Sequence, residues 1–268
     1  MRAFFAGTGW VSSGAILIVL CTTAPIASAQ WTKIPQTGVP RTPDGKLDVS
    51  AQAPRLPDGR PDLSGVWAAP GGRYVQNLAA DLQPGNVPYL PWAKALVDAR
   101  ADGSHGREDP DANCLAPGVP RIDAAPPPWK IVNGNGSIVI LYEAFNLWRQ
   151  VYMDGREPAR DPNPMWLGYS VGRWEGDALV VDTTGFNGRA WLDQQGKPTT
   201  EALRVTERFH RRDFGHMDIQ ITIDDPKAYT CPWTVTLPVT LQQPGAELLE
   251  FICENNRDLE NLSGGTPQ

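Results

Sequence analysis

The sequence predicts an all-β protein, a mostly antiparallel β-barrel with an extended Pro-rich N-terminal arm and one short helix. Three observations predict it. About ten strand-like segments, one at Val66 and the rest from residue 129 onward, follow one another with turn residues between them. Only residues 91–101 carry a convincing helical pattern. Residues 203–223 form two alternating strands that pair sensibly in one register. Strands in unbroken succession close into a barrel or split into a sandwich, and closure removes exposed edges.

The chain opens as an export signal, with Arg2, an apolar run over residues 14–20, and Ala27-Ser28-Ala29 as the small-residue cleavage site. That run is too short to span a bilayer. The mature chain is therefore expected to begin at Gln30 and to be periplasmic or secreted, with no membrane span. Removing residues 1–29 takes away one charged residue, Arg2, so 239 of 268 residues remain and the net charge moves from -6 to -7. An acidic chain disfavours nucleic acid as a partner, because phosphate binding needs a basic face. The length suits a single barrel domain over residues 63–268.

Residues 30–62 form the arm. They contain a near repeat, Pro43-Asp44-Gly45-Lys46 and Pro57-Asp58-Gly59-Arg60, each leading to Asp, an apolar residue and Ser. Pro presets one turn dihedral and Gly accepts the strained one, so the repeat reads as two turns lying across the barrel. In the helix, Trp92, Leu96 and Val97 share one side. The loop over 102–128 is too long for a simple connection and reads as a lid or structured wrap. Cys114 lies in that loop and Cys253 near the end of the last strand, so a Cys114–Cys253 disulfide would pin the loop to the body. Cys231 is then left as an inert thiol, with no His or Lys beside it.

Strands follow over 129–132, 137–143, 147–153, 166–174, 178–184, 233–241 and 247–253. Residues 138–142 are apolar on both faces, so the arm or the helix is expected to cover their outside. In the 203–223 hairpin, Asp213, Phe214 and Gly215 make a three-residue loop with Gly215 in the left-handed position. Arg204 then faces Asp224 and His210 faces Asp218, while Val205, Glu207, Phe209 and Arg211 face Ile223, Ile221, Ile219 and Met217. Glu207 is thus turned inward among apolar side chains. Burial would raise its pKa, as a neutral-pH acid or base requires. The bland alternative is a structural ion pair with Arg211 or Arg149.

Between residues 166 and 184, a two-residue Glu175-Gly176 loop would set Tyr169 opposite Asp182, and a three-residue loop would set Ser170 there. If Tyr169 and Asp182 share the inner face with Glu207, two carboxyls and a phenol line one cavity. Arg211 would hold a polar group of the ligand, with Trp174, Phe209 and Trp148 as apolar walls. One His with scattered acids makes a poor zinc site, and neither a nucleophile elbow nor a dinucleotide fingerprint occurs, so no metal or cofactor is expected.

Gly65-Val66-Trp67 at the first strand resembles the entry of lipocalin-like barrels, in which that tryptophan closes the base and a small apolar ligand occupies the lumen. More of the chain, roughly residues 57–253, resembles a family of exported bacterial proteins of unassigned activity, through Trp166-Leu167-Gly168-Tyr169-Ser170-Val171-Gly172-Arg173-Trp174 and Phe214-Gly215-His216-Met217-Asp218. The expected function is binding of a small apolar or aromatic molecule and its conversion by metal-free carboxylate acid/base chemistry, of lyase, isomerase or hydrolase type. A non-catalytic carrier and a carbohydrate-active protein are the alternatives.

Overall fold

A computed structural model describes residues 38–158 and 161–253. The expected export signal and the start of the expected arm lie outside them. Nine strands close a barrel in sequence order: β1(Gly65–Ala68), β2(Trp129–Gly134), β3(Ser137–Tyr142), β4(Trp148–Tyr152), β5(Tyr169–Glu175), β6(Ala178–Thr184), β7(Arg204–Arg211), β8(His216–Asp224) and β9(Trp233–Leu241). Closure comes from Trp67 opposite Leu241 and Ala68 opposite Thr240. All junctions are antiparallel except β4–β5, which is parallel and only two residue pairs long. Sixteen residues, 153–168, separate those strands, enough for the chain to return to the other end of the barrel and re-enter in the same direction.

The tenth strand expected over 247–253 is absent. The sheet is already closed, so no edge is left for it to join. Leu249 and Ile252 lie exposed, and this segment is held instead by Glu143 and Asn146 side chains that accept the Leu249 and Phe251 amides. The outside of β3 is also uncovered: Leu141 and Trp148 sit opposite one another and both are exposed.

Alternate residues of each strand fill the barrel. Trp67, Trp129, Ile131, Ile140, Leu179, Phe209, Ile219, Ile221 and Leu237 are essentially inaccessible to solvent. Such interior packing supplies the main driving force for closure.

The arm repeat is a structural repeat. Arg41 pairs with Leu47 and Arg55 with Pro61 in isolated bridges; Gly45 and Gly59 adopt φ of 82° and 85°. Each arginine donates to the glycine carbonyl of its own turn, and Asp48 and Asp62 each accept an amide from the serine two residues on. The second copy docks through a two-pronged ion pair of Arg55 with Asp177 and the buried Leu63. The first copy crosses the β7–β8 tip, where Val49 and Ala51 carbonyls accept the Gly215 and Phe214 amides. Gly215 therefore serves differently from the expectation. It is not left-handed; a Cβ there would lie 2.6 Å from Val49 Cβ, and the tip is shaped by Asp213, which accepts the Gly215 and His216 amides.

At the opposite end, the single turn α1(Arg73–Gln76), the helix α2(Pro91–Arg100) and a 3-10 turn over Arg121–Ala124 cover the opening. Helix α2 buries Ala93 and half-buries Leu96, Val97 and Arg100, a spacing of three and four residues. Trp92 stands outside that stripe and donates its indole N–H to the Lys227 carbonyl.

The 102–128 loop is a structured wrap. Arg121 is buried against Asp109 and Asp111, and Cys114 is bonded to Cys253 across 139 residues. Replacing Cys114 by Ser is expected to lower unfolding stability by about 2–5 kcal/mol, measured by urea denaturation. An unchanged midpoint would show that the wrap holds without the bridge.

Candidate functional site

Pairing β7 with β8 places Arg204 opposite Asp224, Glu207 opposite Ile221 and Arg211 opposite Met217, as the sequence implies. Glu207 is completely buried. The interior around it is polar on one side only, where Arg149 of β4, Ser170 of β5, Thr183 of β6 and Tyr142 of β3 point inward, joined by Asp123 from the 3-10 turn. Strand register explains the gathering: Ile140 faces Arg149, Ser170 faces Thr183, and Val181 faces Glu207, so these side chains share the inner row.

Arg149 organises the cluster. Its Nη2 donates to Glu207 Oε2 and, at 2.7 Å, to Thr183 Oγ1, and its Nε donates to Ser170 Oγ at 2.9 Å. Its Nη1 lies 4.0 Å from Asp123 Oδ2. Tyr142 donates to Asp123 Oδ1 at 2.8 Å, and the Trp129 indole donates to the Asp123 carbonyl at 3.1 Å. Three buried atoms of the cluster, Asp123 Oδ2, Arg149 Nη1 and Glu207 Oε1, have no hydrogen-bond partner among the described residues.

Two carboxyls and one guanidinium cannot all be charged without leaving a net negative charge in a dry interior. Burial, and next the Glu207 carboxylate, push the Asp123 carboxyl well above its ordinary range. Burial and then Asp123 likewise raise the Tyr142 phenol. Burial disfavours the Arg149 cation, yet Glu207, Tyr142 and Asp123 outweigh it and hold the guanidinium charged. The arrangement is a buried carboxyl pair clamped by a cation, with a phenol donating to one of the acids.

The expected partners of Glu207 are corrected. Neither loop proposed for residues 166–184 occurs: Gly176 (φ 59°) and Asp177 form the loop, Val171 faces Asp182, and Tyr169 faces Thr184. The pairing with β7 sets the faces: Val181 sits opposite the inward Glu207 and Asp182 opposite Thr206, so Asp182 and Tyr169 lie on the outer face. Asp182 pairs there with Arg173 and Thr206; Tyr169 stacks on Tyr152 and accepts from Arg156. A set of two carboxyls and a phenol does exist inside the barrel, carried by Asp123 and Tyr142 instead.

The walls are divided. Phe209 lies in the core beside Leu179 and Ile219. Arg211 is buried, but its donors are committed to the Asp62, Asp213 and Phe214 carbonyls, and it covers the Trp67 ring at 4.9 Å. Trp174 is half-buried at the opposite rim, and Trp148 lies outside, 63% exposed. Tyr142 and Arg149 were within reach of pleat parity, since residues 138, 140 and 142 and residues 149 and 151 alternate inward. No periodicity marks Asp123, which lies among prolines in the wrap.

Two measurements check the charge assignment. Because the folded pKa of Asp123 is raised above the unfolded value, the native state binds the extra proton between the two. Its stabilising contribution is full below the ordinary carboxyl range and is lost as pH rises toward the folded pKa, with a slope of up to about 1.4 kcal/mol per pH unit. Asp123→Asn should remove that slope in urea denaturation from pH 4 to 8; an identical slope in the variant would refute the protonated Asp123. Arg149→Met strands two acids in the interior and should cost about 3–5 kcal/mol at neutral pH. The urea midpoint reads the loss, and a midpoint equal to that of the wild type would contradict a clamp by Arg149.

No protein-family model matches the chain, and no curated protein matches it.

Proposed function

We propose that the protein is an exported barrel that binds a small apolar or aromatic molecule and moves a proton on it by carboxylate acid/base chemistry. Asp123 is the acid, Glu207 the base, and Arg149 the charge that holds the pair. The supporting observation is the convergence of the three unpartnered atoms, Asp123 Oδ2, Arg149 Nη1 and Glu207 Oε1, in one buried cluster. A buried polar atom left alone costs free energy. The 4.0 Å between Arg149 Nη1 and Asp123 Oδ2 is a gap that one bridging oxygen, such as a ligand carbonyl or hydroxyl, spans. Environments that push neighbouring acids apart in pKa are those that assign acid and base roles. The Cys114–Cys253 bridge fits an oxidising, extracytoplasmic location, and among the described residues no helix is long and apolar enough to cross a membrane.

Complete burial favours a second reading, in which Asp123 is a latch fastening the wrap to the barrel without catalysis. Exchange of α-protons for deuterium, followed by NMR on a panel of aromatic and alicyclic ketones in heavy water, separates the two. The acid/base reading expects the wild type to accelerate exchange on at least one ketone, and Glu207→Gln and Asp123→Asn each to lose about 100-fold or more of that rate. No acceleration across the panel, or acceleration that survives both substitutions in folded protein, leaves only the latch.

A further inference from the structure

A pocket of about 190 Å³ opens at the other end of the barrel. It is separate from the acid/base cluster: Ser137 in its wall begins β3, and Tyr142 of the cluster ends that strand, about 16 Å away at the rise of a strand. Its floor is Trp174, on the inward row of β5 that also carries Ser170, beside Ile138 and Met153. Its roof is the second arm turn, with Leu56 and Arg60.

The roof is fixed in place. Arg55 grips Asp177 on the β5–β6 turn with both Nη atoms, and Arg60 is held by Asp58 through Nε and Nη2 while its guanidinium sits 5.6 Å above the Trp174 ring. Arg60 Nη1 and Ser137 Oγ make no hydrogen bond among the described residues. Asn133 spends its amide N–H on Asp62 and keeps a carbonyl oxygen. One face of the pocket is thus aromatic and apolar, and the other offers one donor, one hydroxyl and one acceptor.

Size and charge restrict the occupant. The volume is below the roughly 300–1,000 Å³ of sites for drug-sized molecules, which limits it to a single ring. Asp58 already neutralises Arg60, and Asp62 adds a second negative charge at the rim, so an anion gains little here. A neutral ring with one hydroxyl matches: the ring lies on Trp174, Ile138 and Met153, while the hydroxyl accepts from Arg60 Nη1 and donates to Asn133 Oδ1 or Ser137 Oγ. We infer that this pocket is a binding site for small single-ring phenols, which are neutral at neutral pH as tyrosine is.

Isothermal titration with phenol, and with toluene and benzoate for comparison, tests it. Phenol should bind saturably at one site and at least about tenfold more tightly than toluene, the value of one hydrogen bond made in place of a methyl contact. Benzoate should be weaker than phenol. Arg60→Gln and Ser137→Ala, both at the solvent-facing rim, should each weaken phenol about tenfold with thermal unfolding unchanged, and phenol should quench less tryptophan fluorescence in Trp174→Phe than in wild type. Absence of saturable binding, toluene or benzoate equal to phenol, or full affinity in both rim variants overturns the inference.

Discussion

A single guanidinium, Arg149, sets the terms for the barrel interior. Pleat parity turns Glu207 away from water, and an ionised carboxylate there is tolerated only beside a cation with its hydrogen bonds met. Arg149 supplies the cation from β4 and is itself fixed by Ser170 and Thr183 from the next two strands. The ion pair therefore reaches across the parallel β4–β5 junction, which has only two residue pairs of its own. A short junction is where a barrel most needs side-chain reinforcement. The Tyr152–Tyr169 stack with Arg156 over Tyr152 at 3.9 Å reinforces the outside of the same junction.

Asp123 makes the cluster more than an ion pair. It arrives on the wrap, not on a strand, and brings a second acid into a space that already holds a balanced pair. A hydrophobic plug would have closed the barrel without that cost. Burial favours its neutral form and Tyr142 donates to it, so docking of the wrap and protonation of Asp123 are linked. Distant anchors hold the same segment, namely Arg121 with Asp109 and Asp111 and the disulfide at Cys114.

Strand parity made much of the fold legible in the sequence. The β7–β8 register could be read because every alternative pairs apolar residues with charged ones, and that reading alone placed Glu207. The β5–β6 turn resisted for a physical reason: Glu175, Gly176 and Asp177 all suit a turn, and moving the loop by one residue changes which strand residues face each other. The face of Asp182 and Tyr169 was set separately, by β6 pairing with β7 so that Val181 and not Asp182 lies opposite Glu207. Residues 247–253 are rich in apolar side chains, but whether a strand forms depends on an available edge, which only the closed sheet decides. Asp123 was illegible because its role comes from a tertiary contact made by an irregular segment.

The two ends of the barrel are built on different principles, and the difference bears on where chemistry belongs. At the arm end, charges are paired at the surface, as in Arg55 with Asp177 and Arg60 with Asp58, where solvent screens them and each contributes little. Those contacts position backbone and leave a small pocket between Trp174 and the turn. At the wrap end, charges are paired out of water, where each proton and each hydrogen bond weighs more. A group that must change its protonation state near neutral pH is served by the second environment and not by the first. The change from exposed pairs to a buried carboxyl pair clamped by a guanidinium runs along β3, from Ser137 to Tyr142.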